Sequence, residues 1–126
     1  MKLLQNCLAL VPVTFSGATL SASHIVDIVW SAEGRFAQNA QIAAGKFVEV
    51  CGKLPVGEGV RWCFTGSASV DFSILHHVGK EVVLPARQAQ LSSGSDTLSP
   101  TTAHDPCWMW TNKGSAPVRL AVGLAR

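Results

Sequence analysis

Charged side chains are scarce in this chain. They make up 14% of its 126 residues, against roughly 25% in an average soluble domain. Ten basic and eight acidic residues are scattered along the sequence and leave a net charge of +2 without a basic cluster. Nucleic-acid binding requires a concentrated positive surface, so the sequence gives no support for a nucleic-acid partner. Tyrosine is absent although four tryptophans are present, and the composition offers no physical reason for this.

Long apolar runs and helical repeats are also missing. The most apolar stretch, residues 3–15, contains polar residues and a proline, and it is shorter than the ~20 residues of a membrane-spanning helix. No segment keeps a 3.6-residue apolar repeat over three turns. Hydrophobic residues nevertheless account for 48% of the chain, which argues against disorder. The length is that of one domain with one core.

The chain consists instead of short segments in which apolar and polar residues alternate, separated by Gly- and Pro-containing turns. Strand side chains alternate between the two faces of a sheet, so this pattern predicts strands with one buried face. It predicts strands over 46–54, 60–65, 69–77, 81–84, 97–99, 107–111 and 118–124. Residues 24–30 are either a strand or the tail of an N-terminal leader, and residues 36–43 are either an exposed strand or a loop. Gly66-Ser67 is predicted to turn and Pro85 to end a strand. The expected fold class is all-β, an antiparallel β-sandwich of about seven to eight strands.

The first residues have the layout of a secretory signal peptide. A single lysine is followed by an apolar segment and then by small residues suited to cleavage. We therefore expect residues 1–22 to be a signal peptide and 23–126 a single β-sandwich domain, periplasmic or secreted, without a membrane span after cleavage. The alternative is a buried first strand over 8–13. Export would leave Cys51, Cys63 and Cys107, and an oxidising compartment would then favour one disulfide and one leftover cysteine.

The segment from Asp105 to Ala125 is predicted to be a hairpin whose turn begins at Asn112. Trp108 and Trp110 share one face of its first strand, opposite Cys107 and Met109. If the tryptophan face points outward, it is an exposed apolar patch for a ligand or partner. If it points inward, both tryptophans belong to the core, with Trp62. A Cys107 disulfide between the sheets would turn them outward, and one to a neighbouring strand on the outer face would leave them inward.

Several motifs resemble a family of small, exported bacterial proteins of uncharacterised activity. The resemblance covers residues 44–124 and is carried by Gly-Lys-Phe-Val-Glu-Val-Cys (45–51), Val-Arg-Trp (60–62), Val-Asp-Phe-Ser-Ile (70–74), His-Val-Gly-Lys (77–80) and Cys-Trp-Met-Trp-Thr-Asn (107–112). The strand plan is also similar to that of GOLD domains, so the sandwich is expected to be GOLD-like or jelly-roll-like. The resemblance implies a disulfide between Cys51 and Cys107. From the residues alone, Cys63–Cys107 remains the rival pairing.

Metal and catalytic sites have weak support. His104, Cys107 and Met109 offer the imidazole, thiolate and thioether groups that copper uses, and His77 is a further weak candidate. A cupredoxin-like site, however, needs a second histidine beside His104, with the ligands on a loop. His76 and His77 are adjacent, so on a strand they point to opposite faces. Serine, histidine and aspartate are all present without a nucleophile elbow or other catalytic context.

The sequence therefore predicts an exported, non-catalytic binding or interaction module without a cofactor. Its ligand is unknown, and its partner is an unknown protein or small molecule. Trp108, Trp110 and His77 are the candidate ligand or partner surface. The alternative is a periplasmic copper-binding protein, and the third choice is a small hydrolase.

Overall fold

The chain folds into strands without helices over the part that the structure describes. A computed structural model describes residues 19–20, 23–54, 56–78, 81–100 and 105–126, with the backbone alone for 19–20, 77–78 and 81–87. The described strands are β1 (Thr19–Leu20), β2 (His24–Asp27), β3 (Arg35–Ile42), β4 (Phe47–Cys51), β5 (Val60–Val78), β6 (Glu81–Leu98), β7 (Cys107–Thr111) and β8 (Val118–Ala125). Within these ranges, no helix could span a membrane. The all-β class and the expected strand number are confirmed.

A long hairpin formed by β5 and β6 belongs to both halves of the fold. Residues 61–66 of β5 pair with β8, and residues 71–75 pair with β7, while β6 lies along the other edge of β5. One half has the order β1-β3-β8-β5 and the other has the order β5-β7-β4-β2. The pairing is antiparallel except at the outer edges, where β1 runs parallel to β3 and β2 parallel to β4.

The two halves pack face to face as a sandwich. The ring of Phe64, in the first half, lies 5.6 Å from the ring of Trp110, in the second, and 5.0 Å from that of Phe72. Alternate residues of every long inner strand join the same core, as the sequence pattern predicted. The core members are Phe36, Ile42, Val48, Val50, Leu54, Val60, Trp62, Phe64, Val70, Phe72, Ile74, Trp108, Trp110, Val118, Leu120, Val122 and Leu124.

Two boundaries predicted from the sequence are wrong. Gly66-Ser67 does not end a strand, because β5 continues through it and changes partner from β8 to β7. The register of the hairpin shifts between Thr65 and Val70, which marks this as the bend between the two halves. Gly66 suits a bend because even a Cβ atom there would come within 2.9 Å of the carbonyl oxygen of Ala68.

The second error concerns β6, which replaces two short predicted strands at 81–84 and 97–99. Its polar residues pair with β5 on one side only, so hydrophilic side chains and Pro85 are tolerated there. Pro85 lies where the register shifts between the Ile74–Ala86 and His76–Val83 pairs. A proline is compatible with a strand at such an irregularity, since the missing N–H breaks no regular ladder bond.

The turn after β7 depends on Asn112, whose side chain is fully buried. Its amide donates hydrogen bonds to the carbonyl oxygens of Ile42 and Ala116, and its Oδ1 accepts one from the N–H of Gly114. Gly114 is not among the residues with positive φ, so its contribution to the turn is this N–H group. The predicted position of this turn is therefore correct.

Candidate functional site

Cys51 and Cys107 form a disulfide, as the resemblance implied. They face each other on the neighbouring strands β4 and β7, with their Cα atoms 4.1 Å apart. The bridge therefore joins two strands of one half and does not connect the two halves. Cys63 is disulfide-bonded as well, so the expected leftover thiol at this position is wrong. Cys63 is buried although it alternates with Trp62 and Phe64 and therefore lies on the opposite face of β5.

The tryptophan face of β7 points into the core. Trp108 and Trp110 are both 0% exposed, while Cys107 and Met109 alternate with them on the half-buried outer side. A partner surface formed by the two tryptophans is therefore a wrong prediction. The physical reason is the position of the disulfide, which occupies the outer face and leaves the inner face to the indoles. The backbone of His77 lies in β5, and its side chain is outside what the structure describes.

The residues considered for copper do not assemble as a thiolate site in the oxidised chain. The sulfur of Cys107 is bonded to that of Cys51, so it supplies no thiolate. His104 lies outside the described residues. Met109 is placed on the outer face, opposite Glu49 of β4. Of the residues considered for copper, the structure therefore places only the Met109 thioether as an available ligand, and it lies near the Glu49 carboxylate and the disulfide.

Close cross-strand pairs bring these outer-face groups together. The backbone N–H groups of Asn112 and Gly52 donate to the carbonyl oxygens of Lys46 and Pro106, which marks these two positions of the ladder as hydrogen-bonded pairs. Pairs of the other type alternate with them and include Glu49–Met109 and Cys51–Cys107. In such pairs the Cα atoms approach to about 4.5 Å and the side chains are closest. A carboxylate oxygen of Glu49 lies 4.0 Å from the sulfur of Cys51.

A groove of about 240 Å³ opens on the same outer face, on the β5 side of β7. Its walls mix hydroxyl, amide and charged groups with the thioether of Met109. They are formed by Asp71, Phe72, Ser73, Gln88, Ala89, Met109, Thr111 and Lys113. The groove is smaller than the roughly 300–1,000 Å³ of typical small-molecule pockets. It has room for one or two side chains of a protruding loop.

A bulge in β6 borders this groove. Val70 pairs with Leu91 and Phe72 with Gln88, so Ala89 and Gln90 together oppose the single residue Asp71. Gln90 has a φ of 58°, a left-handed conformation that costs energy for a residue with a Cβ atom. The carboxylate of Asp71 accepts the N–H of Gln90 at 3.1 Å and so stabilises this conformation. Bulges are frequent next to binding sites because they redirect side chains.

Sequence reasoning missed the groove. Its residues come from three strands and one turn, and nothing in their spacing along the chain connects Asp71 with Lys113. A signal was present in the run Arg-Gln-Ala-Gln-Leu (87–91), where the alternation of apolar and polar residues breaks. In the structure this run is a bulged strand.

No protein-family model and no curated protein matches the chain. Solved structures match it at the level of the fold. One is PliG of Aeromonas hydrophila, a periplasmic inhibitor of g-type lysozyme, with 9% identity and a TM-score of 0.56 over 86% of this chain and 98% of that one. Another is CorA of Methylomicrobium album BG8, a surface-associated copper-binding protein important in copper acquisition, with 10% identity and a TM-score of 0.53 over 86% and 99%.

A third similar structure is the pre-peptidase C-terminal domain of a Bacillus anthracis collagenase. It has 5% identity and a TM-score of 0.55 over 88% of this chain and 98% of that one. The TM-scores show a shared β-sandwich architecture. At identities this low they show nothing about function, which has to be argued from the site.

Proposed function

We propose that this protein is an exported, non-catalytic binding module that holds a loop of a partner protein in the groove between β5 and β7. The groove beside the Gln90 bulge is the observation that carries the proposal. It combines a strained backbone, a concave wall of mixed polar and apolar groups, and the thioether of Met109. Interfaces typically use this mixture, in which an apolar centre is surrounded by groups that form hydrogen bonds.

Charge and shape favour a protein loop as the occupant. Lys113 is exposed and available to an acidic group, while the carboxylate of Asp71 is already engaged by Gln90. The small volume fits individual side chains better than a cofactor. Engagement of Asp71 with the backbone also gives it a structural role, which argues against its use as a general base and supports a non-catalytic module.

Export is supported by the Cys51–Cys107 disulfide, because such bonds persist in oxidising compartments. Two similar structures point the same way: one is a periplasmic inhibitor and the other a surface-associated copper-binding protein. Of these two kinds of binding, protein binding is favoured here since the oxidised chain lacks the Cys107 thiolate. The leader over residues 1–22 remains a prediction, tested by the mass of the protein recovered from its native host.

Site-specific photo-crosslinking in that host tests the binding proposal. A benzophenone amino acid replaces Gln88, an exposed wall residue of the groove, and the matched control replaces Ala37, an exposed residue of β3 in the other half. We expect a discrete adduct of defined mass from position 88, identified as one protein by mass spectrometry, and none from position 37. Adding Lys113→Glu should abolish the adduct, whereas Lys53→Glu, which changes another exposed lysine outside the groove, should leave it intact.

Equal labelling from both positions, or an adduct insensitive to Lys113→Glu, would contradict the proposal. The non-catalytic part has its own test, a panel of ester and glycoside substrates incubated with the purified protein. Turnover that disappears on changing a groove residue would make the protein an enzyme and overturn this part.

A further inference from the structure

One cluster of metal-ligating groups stands out among the described residues. A carboxylate oxygen of Glu49 and the sulfur atoms of Cys51 and Cys107 all lie within 4.8 Å of one another. All three residues are half-buried on the outer face of the β4–β7 pair. Met109 is directly opposite Glu49 in a close cross-strand pair and presents its thioether to the same face. Two cysteine sulfurs, one carboxylate oxygen and one thioether sulfur therefore lie on the same face of two hydrogen-bonded strands.

We propose that reduction of the Cys51–Cys107 disulfide converts this cluster into a site for a thiophilic d10 metal ion, Cu(I) or Zn(II). Thiolate and thioether ligands select such ions, whereas carboxylate and carbonyl sites select Mg²⁺ or Ca²⁺. The oxidised form has no thiolates and does not bind the ion. The two cysteines therefore have two alternative states: joined by a disulfide bond, or both bound to one metal ion. This inference does not rest on the proposed function, although Met109 also lines the groove.

The geometry fits a metal after a small adjustment. Zn–S bonds are about 2.3 Å long and Zn–O bonds about 2.0–2.2 Å, so ligand atoms around one ion are separated by about 3.5–4 Å. The oxygen of Glu49 is already 4.0 Å from the sulfur of Cys51. Once their bond is broken, the two sulfurs need to separate only by rotation about their side-chain bonds. The Cα atoms remain 4.1 Å apart because the ladder between β4 and β7 holds them.

The chemical step is thiol–disulfide exchange with a dithiol reductant. One thiolate of the reductant attacks a sulfur of the disulfide, breaks the bond between Cys51 and Cys107, and forms a mixed disulfide. The second thiol of the reductant then attacks this mixed disulfide and releases the protein cysteine. The reductant leaves oxidised, and two electrons and two protons remain on the pair of cysteines as thiols. Metal binding then releases the two protons to solvent.

The test compares metal binding by the reduced and oxidised full-length protein. Zn(II) and Cu(I) are titrated separately, and binding is measured by native mass spectrometry and by competition with a chelator of known affinity. We expect the reduced protein to bind one ion and the oxidised protein none. Near-UV circular dichroism must show that the reduced protein keeps its tertiary structure, since the site requires the paired strands; loss of this signal on reduction would overturn the proposal.

Variants identify the ligands. The double variant Cys51→Ser, Cys107→Ser should lose binding, and Cys63→Ser, which keeps the pair, should bind as the wild type does. Glu49→Gln should weaken Zn(II) by about tenfold or more, and Met109→Leu should do the same for Cu(I), because oxygen suits the harder ion and thioether the softer. Binding to the oxidised protein, or binding that survives in the double variant, would contradict the proposal.

Discussion

The side-chain amide of Asn112 donates a hydrogen bond to the carbonyl oxygen of Ile42 at 3.0 Å, across 70 residues of sequence. Asn112 begins the turn after β7, and Ile42 ends β3, so the bond ties one half of the sandwich to the other. The backbone of Asn112 adds two further bonds, donating to Lys46 and accepting from Gly45. This residue therefore connects the last hairpin to the β3–β4 turn.

Asn112→Ala should lower the free energy of unfolding by about 2–4 kcal/mol, since it leaves the buried carbonyl group of Ile42, and the partly buried one of Ala116, without their donor. Urea denaturation followed by tryptophan fluorescence measures the change. Asn39→Ala is the matched control, because the side-chain oxygen of Asn39 has no partner among the described residues and its loss should cost less than about 1 kcal/mol. Equal losses for the two variants would contradict the role of Asn112.

Gly94→Ala should destabilise the sandwich by about 1–3 kcal/mol through overpacking. A Cβ atom at Gly94 would come within 2.8 Å of the ring of Phe64, which is fully buried and has little room to move. Thermal unfolding compares this variant with Gly59→Ala, whose Cβ would meet Thr97 at an ordinary contact distance of 3.4 Å. The control should stay within about 0.5 kcal/mol of the wild type. A stable Gly94→Ala protein would mean that β6 does not approach Phe64 this closely.

Cys107→Ser should lower the free energy of unfolding by about 2–4 kcal/mol under oxidising conditions, because the disulfide restricts the unfolded chain over a sequence separation of 56. Under a thiol reductant the wild type loses the same constraint, so the two proteins should then unfold at nearly the same urea concentration. Denaturation in both buffers measures the difference. A gap that persists under reductant would assign the loss to packing at this position.

Tryptophan quenching tests the burial of the β7 indoles. Trp30 is partly exposed and lies under the guanidinium of Arg126, at 5.3 Å, whereas Trp108 and Trp110 are shielded from solvent. We expect Trp30→Phe to remove most of the emission that acrylamide quenches and Trp110→Phe to leave it unchanged. If Trp110→Phe removed the quenchable emission instead, the tryptophan face would be at the surface.

The inner strands could be predicted from sequence because their alternation is strong. In β8, Val118, Leu120, Val122 and Leu124 repeat at every second residue, and all four are buried. In the predicted strand over 60–65, Trp62 and Phe64 follow the same alternation, and both are buried. Alternation of this kind is a property of a single strand. Prediction from it therefore succeeds for strands that have one buried face, because burial requires apolar residues at every second position.

The hairpin of β5 and β6 and the groove could not be predicted in the same way. Gly66-Ser67 has the composition of a turn, and only pairing with both β8 and β7 explains why the chain stays extended there. The groove depends on the bulge at Gln90, which exists because two residues of β6 oppose Asp71 across the hairpin. Such cross-strand relationships leave no regular trace in the sequence. The orientation of Trp108 likewise followed from which strand Cys107 is joined to.

The shared β5 strand also has a consequence for how the protein folds. Its residues 61–66 are a neighbour of β8 and its residues 71–75 a neighbour of β7, so neither half has a complete sheet without the same strand. The two halves should therefore lose their structure in one cooperative transition, with no populated state in which one is folded and the other unfolded. Most of the pairings join distant parts of the chain, and a topology of this kind is assembled slowly, on the millisecond-to-second scale typical of β-sandwiches.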